Sequence, residues 1–167
     1  PVVMVTCNDK AGKTNIITVA WTGIVCSDPP MLSISVMPSR FSHRLIKDAG
    51  EFLVNLPTSK EVYWTDKFGV LSGRDVDKVK MAGFNLWPSE KISVPVIIEC
   101  PVNLECQVTK TLDLGSHTMF LARIVNIQVN KTLMDSKGRV ALERAGLIAY
   151  AHGFYYRLGK QMGRYGF

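Results

Sequence analysis

Short runs of β-branched and aromatic residues dominate this chain and limit how it can fold more than any other feature. Val2–Thr6, Leu32–Met37, Phe52–Leu56, Val102–Leu112 and Thr118–Val129 read as strands. Within Leu32–Met37, Leu32, Ile34 and Val36 alternate with Ser33 and Ser35, the period of a half-buried strand. Asn15–Val25 reads as one strand bent at Gly23, and Val94–Ile98 as a further apolar run. Asp28-Pro29-Pro30 reads as a connection, because proline cannot serve a central ladder. Helical pieces are few: one capped by Ser42 and ended by Gly50, one from Ser59 to about Phe68, and a turn over Val76–Ala82. Leu114–His117 reads as a hairpin link, and Met134–Arg144 stays open between turn, short helix and irregular loop. Ile148–Ala151 and Phe154–Tyr156 are short apolar pieces around His152-Gly153. The helices do not alternate regularly with the strands, so a doubly wound sheet fits poorly. A strand-rich chain must hide its edges, and a closed or partly closed barrel does so. The expected class is an all-β dominated barrel with a few short inserted helices.

A chain of 167 residues can bury one sizeable core, so a single domain over residues 1–167 is expected. No apolar run reaches the roughly 18–20 residues needed to span a bilayer, and the first residues lack a basic leader, so no membrane and a cytoplasmic location are expected. The four cysteines, Cys7, Cys26, Cys100 and Cys106, are too sparse for a disulfide scaffold and are expected to be free, with Cys7 and Cys26 buried and inert. His43, His117 and His152 are scattered and nominate no metal centre. The net charge of +6 is dispersed except over residues 153–167, where Arg157, Lys160 and Arg164 lie among aromatic residues with no acid. Nothing there resembles a reading helix or a base-stacking sheet, so no nucleic-acid partner is expected. Motifs for dinucleotide folds, P-loops, zinc proteases and serine hydrolases are also lacking.

Two segments carry chemical information. Thr18, Ala20 and Thr22, at alternate positions of one strand, would present a small, polar face that admits a flat heterocycle; the same residues also suit an ordinary packed strand. Ser39, Arg40 and Ser42 lie where a strand hands over to a helix. Hydroxyls, a guanidinium and free N–H groups converge there, as a phosphate requires, although a capped surface helix with a solvated arginine has the same composition. Asp75, Asp77, Lys78 and Lys80 read as a solvated face.

In ordered series, several pieces resemble the flavin reductase-like family, the FMN-binding split β-barrels that include flavoredoxin. The series runs from Asn15…Thr18-Val19-Ala20-Trp21 through Cys26-Ser27-Asp28-Pro29-Pro30, Ser39-Arg40, Ser42-His43 and Gly50–Leu56. It continues through Pro101–Cys106 and His117–Val125 to Leu147–Tyr156. The resemblance implies a Greek-key FMN-binding split β-barrel and a homodimer with one FMN per subunit near the interface. It implies Asn15, Thr18, Ala20 and Trp21 beside the isoalloxazine, with Thr22, Cys26 and Ser27 at its polar edge. Ser39, Arg40, Ser42 and His43 would hold the phosphate and ribityl end, and His152 and Tyr156 would close the site. The implied activity is that of an NAD(P)H:flavin reductase or a flavoredoxin-like electron carrier. NADH or NADPH would be the donor, a redox protein or monooxygenase the partner, and no side chain an obligatory catalyst. The alternative is a non-enzymatic FMN-binding protein reduced by a partner protein.

Overall fold

A computed structural model describes residues 1–166; Phe167, the last residue of the basic-aromatic tail, lies outside them. The elements run β1 (Val3–Asn8), β2 (Thr14–Val19), β3 (Thr22–Ser27), β4 (Pro30–Val36), α1 (Phe41–Ala49), β5 (Glu51–Leu56), α2 (Val62–Val70) and α3 (Lys78–Ala82). They continue through β6 (Leu86–Trp87), β7 (Val96–Ile97), β8 (Val102–Asp113), β9 (Thr118–Val129), β10 (Ile148–Ala151) and β11 (Phe154–Arg157). Seven strands form one antiparallel sheet in the order β2-β1-β5-β8-β9-β4-β3.

The two edge strands of that sheet, β2 and β3, are consecutive in sequence. The sheet therefore curls into a barrel whose seam is crossed by Ala20 and Trp21 alone. The single bent strand expected over Asn15–Val25 is thus two strands on opposite sides of the seam. The ladder between β1 and β2 ends at Val3 opposite Val19, so the chain leaves it there. The Trp21 carbonyl then accepts from Ser35 N at 2.9 Å, which starts the pairing with β4.

Inward-facing side chains fill the barrel. Val5, Ile17, Ile34, Phe52, Cys106 and Phe120 belong to this core, and Leu45 and Ile46 of α1 plug one end. The alternation of β4 holds, with Leu32, Ile34 and Val36 inside. Helix α1 ends at Gly50, whose φ of 70° is the left-handed conformation glycine favours. Its start differs from expectation: Arg40 is the capping residue and Ser42 lies within the first turn. Helix α2 begins at Val62, after Thr58 N and Oγ1 donate to Glu61 Oε2 at 2.9 and 2.6 Å, so Ser59 is not its cap. Pro30 opens β4, at the first position of a strand, where a missing N–H is tolerated.

Outside the barrel, α2 and α3 pack through Phe68, Trp64 and Val79 on Met4 and Ile16. The segment from Phe84 to Cys100 straps across the outer face of β1, β5 and β8. Polar side chains that alternate outward from those strands hold it down. Asn55 Oδ1 accepts from Ile97 N at 2.9 Å, and Thr6 Oγ1 donates to the Pro95 carbonyl at 2.9 Å. Glu105, fully buried, accepts from Glu90 N, Lys91 N, Asn126 Nδ2 and Gln128 Nε2 at 2.7–3.1 Å. The Met134–Arg144 stretch is mostly loop, with an isolated bridge between Met134 and Val140 and a single 3-10 turn at Leu142–Arg144. No helix among the described residues is long and apolar enough to cross a membrane.

Candidate functional site

A cavity of about 420 Å³ opens at the seam. Thr18, Val19, Ala20 and Trp21 form one wall, Ser35–Met37 another, and Gly69–Val70 at the end of α2 a third. The β10–β11 hairpin and His117 complete it: Tyr150, Gly153 and Tyr155 line the cavity, and the His117 ring sits 6.1 Å from that of Trp21. Tyr155 donates its hydroxyl to Asp66 Oδ1 at 3.3 Å, which docks the hairpin on α2. Burial and the nearby Asp66 carboxylate push the Tyr155 phenol up to about 12, so it stays a donor at physiological pH.

Arg40 lines this cavity and also a second one of about 170 Å³, so the two adjoin at its side chain. The second pocket holds Arg40, Arg74 and Lys78, the hydroxyl residues Ser39, Ser42 and Ser72, and no carboxylate. The first turn of α1 contributes its unpaired N–H groups there. Arg40 donates through Nη2 to the Gly69 carbonyl, and Arg74 donates through Nη1 to the Ser39 carbonyl at 3.2 Å, its guanidinium 5.6 Å from the Phe41 ring. Asn15 Nδ2 donates to Ser42 Oγ at 2.7 Å and ties β2 to α1. Gly73 packs against that amide so closely that a Cβ would overlap Asn15 Oδ1 and come within 2.9 Å of Phe41 Cδ1. Gly73→Ala therefore lowers stability by about 1–3 kcal/mol. Thermal unfolding measures this, and the loss in Gly73→Ala is smaller in an Asn15→Ala background, where only the Phe41 contact remains.

Seven of the thirteen expected site residues gather in two groups. Thr18, Ala20 and Trp21 meet at the cavity, and Asn15, Ser39, Arg40 and Ser42 meet at the cationic pocket. Thr18 turns its hydroxyl to the Thr65 carbonyl of α2 at 2.5 Å. Thr22, Cys26 and Ser27 lie beyond the seam along β3 and line neither space; Thr22 Oγ1 donates to the Ser33 carbonyl at 2.9 Å. Cys26 is half-exposed, not buried, because it sits beside the β3–β4 turn, with Sγ 3.3 Å from the Asp28 carbonyl. Cys7 is buried, and burial pushes its thiol up to about 12. His43 packs edge-on against Phe120 with centroids 5.4 Å apart; burial, then Lys47, lowers its pKa, and neither cavity includes it.

His152 and Tyr156 also fall outside both linings. His152 has φ 47° and forms the two-residue turn with Gly153, while Tyr156 points opposite to Tyr155 on β11. Sequence reasoning missed Tyr150, Tyr155, His117, Arg74 and Lys78. Alternation along the hairpin puts Tyr155 and Tyr156 on opposite faces, and only the docking of the hairpin on α2 shows that Tyr155 faces the cavity. No group of three His, Cys, Asp or Glu residues able to hold a metal is present among the described residues.

An antiparallel barrel left open at one seam, with a cavity there that ends in an anion pocket, defines a split β-barrel with an elongated cofactor-sized site. A profile of the "Flavin reductase like domain" matches residues 1–158, and the chain belongs to the flavin reductase-like family. Flavoredoxin of Desulfovibrio vulgaris superposes with a TM-score of 0.93 at 26% identity, covering 99% of this chain and 90% of that one. Flavoredoxin from Methanosarcina acetivorans gives 0.89 at 30% identity, covering 99% and 88%. Nitrilotriacetate monooxygenase component B from Bacillus cereus gives 0.89 at 26%, covering 98% and 86%. An uncharacterized protein of Archaeoglobus fulgidus is 36% identical over 75% of this chain and 71% of its own length. One from Pyrococcus abyssi is 32% identical over 68% of this chain and 64% of its own.

Proposed function

We infer that residues 1–167 act as one FMN-dependent oxidoreductase domain, a NAD(P)H:flavin reductase or flavoredoxin-like electron carrier. The observation that carries this reading is the seam cavity running at Arg40 into a pocket with three cationic side chains and no carboxylate. A ligand with a flat, amphipathic body and a terminal phosphate fits that shape and charge. Bound FMN would supply the redox chemistry, accepting a hydride from NADH or NADPH at N5 and passing electrons to an acceptor.

The chain's own residues bind and orient. Arg40, Arg74 and the first turn of α1 hold the phosphate. Thr18, Ala20 and Trp21 form the wall along the ring system, and the Tyr150–Tyr155 hairpin shields the opposite side from water. Hydride transfer to a flavin needs no side chain as an obligatory acid or base.

Trp21 and Val70 on the cavity wall are 71% and 72% exposed, and Phe154 beside Gly153 is 66% exposed. Large apolar groups gathered at a cavity mouth fit a homodimer that closes the site. Phe154→Asp then shifts the protein toward monomer in size-exclusion with light scattering and weakens FMN binding. A redox protein or monooxygenase suits the acceptor role, and four free thiols suit a reducing compartment such as the cytoplasm.

Anaerobic stopped-flow absorbance of the FMN-loaded protein tests the activity. Rapid bleaching by NADH or NADPH is expected. Bleaching only by dithionite or a partner protein would remove the reductase reading and leave an electron carrier or an FMN-binding protein.

A further inference from the structure

Lys78 is a lysine without a counter-ion in the interior. It is 3% exposed, and its Nζ donates to the carbonyls of Ile16 at 2.8 Å and Phe68 at 3.1 Å, over the Phe68 ring. These are neutral acceptors, and Lys78 takes part in no salt bridge among the described residues. The same side chain lines the cationic pocket beside Arg40 and Arg74. A buried ammonium without an anion is disfavoured, and two guanidiniums facing it disfavour it further.

We propose that Lys78 is a phosphate-holding residue that takes up a proton from solvent when a phosphate monoester docks against Arg40 and Arg74. The proposal rests on the reading of this pocket as the phosphate end of the FMN site.

Without the ligand, burial and then Arg40 lower the Lys78 pKa to about 8. The carboxylates around it are engaged elsewhere: Asp9, which shares a neighbouring cavity with Lys78, accepts from Ala11 N and Lys13 N at 2.9 Å. Arg40 faces it from the start of α1 and Arg74 from the loop before α3. From β1 comes Cys7, whose thiol stays protonated, and Asp77 at the start of α3 is held by Lys13 at 3.6 Å and by Lys80 N. Asp66 of α2 faces the seam cavity and accepts from Tyr155. A phosphate monoester has its second pKa near about 6, so above pH 8 it arrives as a dianion and brings no proton. The dianion favours the ammonium, and the proton must then come from solvent.

Sign follows from linkage. The bound state holds the proton to higher pH than the free state, so the Lys78 contribution to affinity is full below about pH 8 and falls as pH rises above it. The fall approaches tenfold per pH unit, about 1.4 kcal/mol. The test is calorimetric titration of the apo protein with FMN and with riboflavin at pH 9, in two buffers of different ionisation enthalpy. FMN is expected to take up close to one proton and riboflavin none. Lys78→Arg, which keeps the charge but does not titrate, is expected to abolish the uptake and flatten the affinity profile between pH 8 and 10. Lys78→Met is expected to lose the uptake and bind FMN at least tenfold more weakly at pH 7. FMN binding without uptake, or uptake persisting in both variants, overturns the proposal. FMN binding no tighter than riboflavin at pH 7 overturns the phosphate pocket itself, and the proposal with it.

Discussion

Arg40→Ala and Arg74→Ala made together raise the FMN dissociation constant by about 10²–10⁴-fold, since each charge-assisted hydrogen bond lost is worth about 1.5–3 kcal/mol. Riboflavin, which lacks the phosphate, changes little. Fluorescence titration with both ligands makes the comparison. The geometry behind this is specific. Arg40 and Arg74 are tied to main-chain carbonyls of Gly69 and Ser39, so the guanidiniums are held in place before any ligand arrives. Pre-positioned donors lose little side-chain freedom on binding. Arg40→Lys does not rescue, because an ammonium cannot reproduce the planar fork. Equal weakening of FMN and riboflavin would move the phosphate elsewhere.

The second large effect is on stability. Glu105→Ala lowers the unfolding free energy by about 3–5 kcal/mol, because buried donors to a charged acceptor are left unpaired. Two of those donors are main-chain N–H groups of Glu90 and Lys91, so the strap over β5 and β8 loosens first. Burial alone would raise the Glu105 pKa, but bonds from Gln128, Asn126 and the two N–H groups outweigh it and hold the carboxyl below its usual range. A depressed pKa means stability that is full above the ordinary carboxylate range and lost as pH falls through the folded value. Wild-type protein therefore loses stability on acidification, and Glu105→Gln shows a flatter slope below about pH 4.3. Chemical denaturation from pH 3 to 7 measures both. An Ala variant within about 1 kcal/mol of wild type would show that the strap is held by its apolar contacts.

Much of the barrel was legible because alternation is local. Leu32, Ile34 and Val36, or Leu104 and Cys106, declare a buried face within a few residues. The strap was not legible, because Thr6, Asn55 and Glu105 alternate outward and look like solvent-facing residues. Their burial depends on a segment that begins some thirty residues past Asn55. The site divides the same way. Arg40 could be found from a strand-to-helix junction, a local signal. Lys78 looked solvated among Asp75, Asp77 and Lys80, and only α3 packing on β2 turns it inward. The break after Val19 was hidden too. Thr18, Ala20 and Thr22 alternate as in one strand, and only the length of β1 shows that the ladder has run out.

That break sets a gauge. Between Val19 and Thr22 there are three steps of about 3.8 Å, so the two lips of the seam stay within about 11 Å of each other at the crossover however the barrel breathes. At that end the slot cannot widen unless pairs are peeled from β2 or β3. A ring system seated at that end would be selected by its thickness and edge chemistry. Lengthening the crossover by one or two glycines would turn a fixed slot into an adjustable one, admitting bulkier rings and holding each of them less firmly.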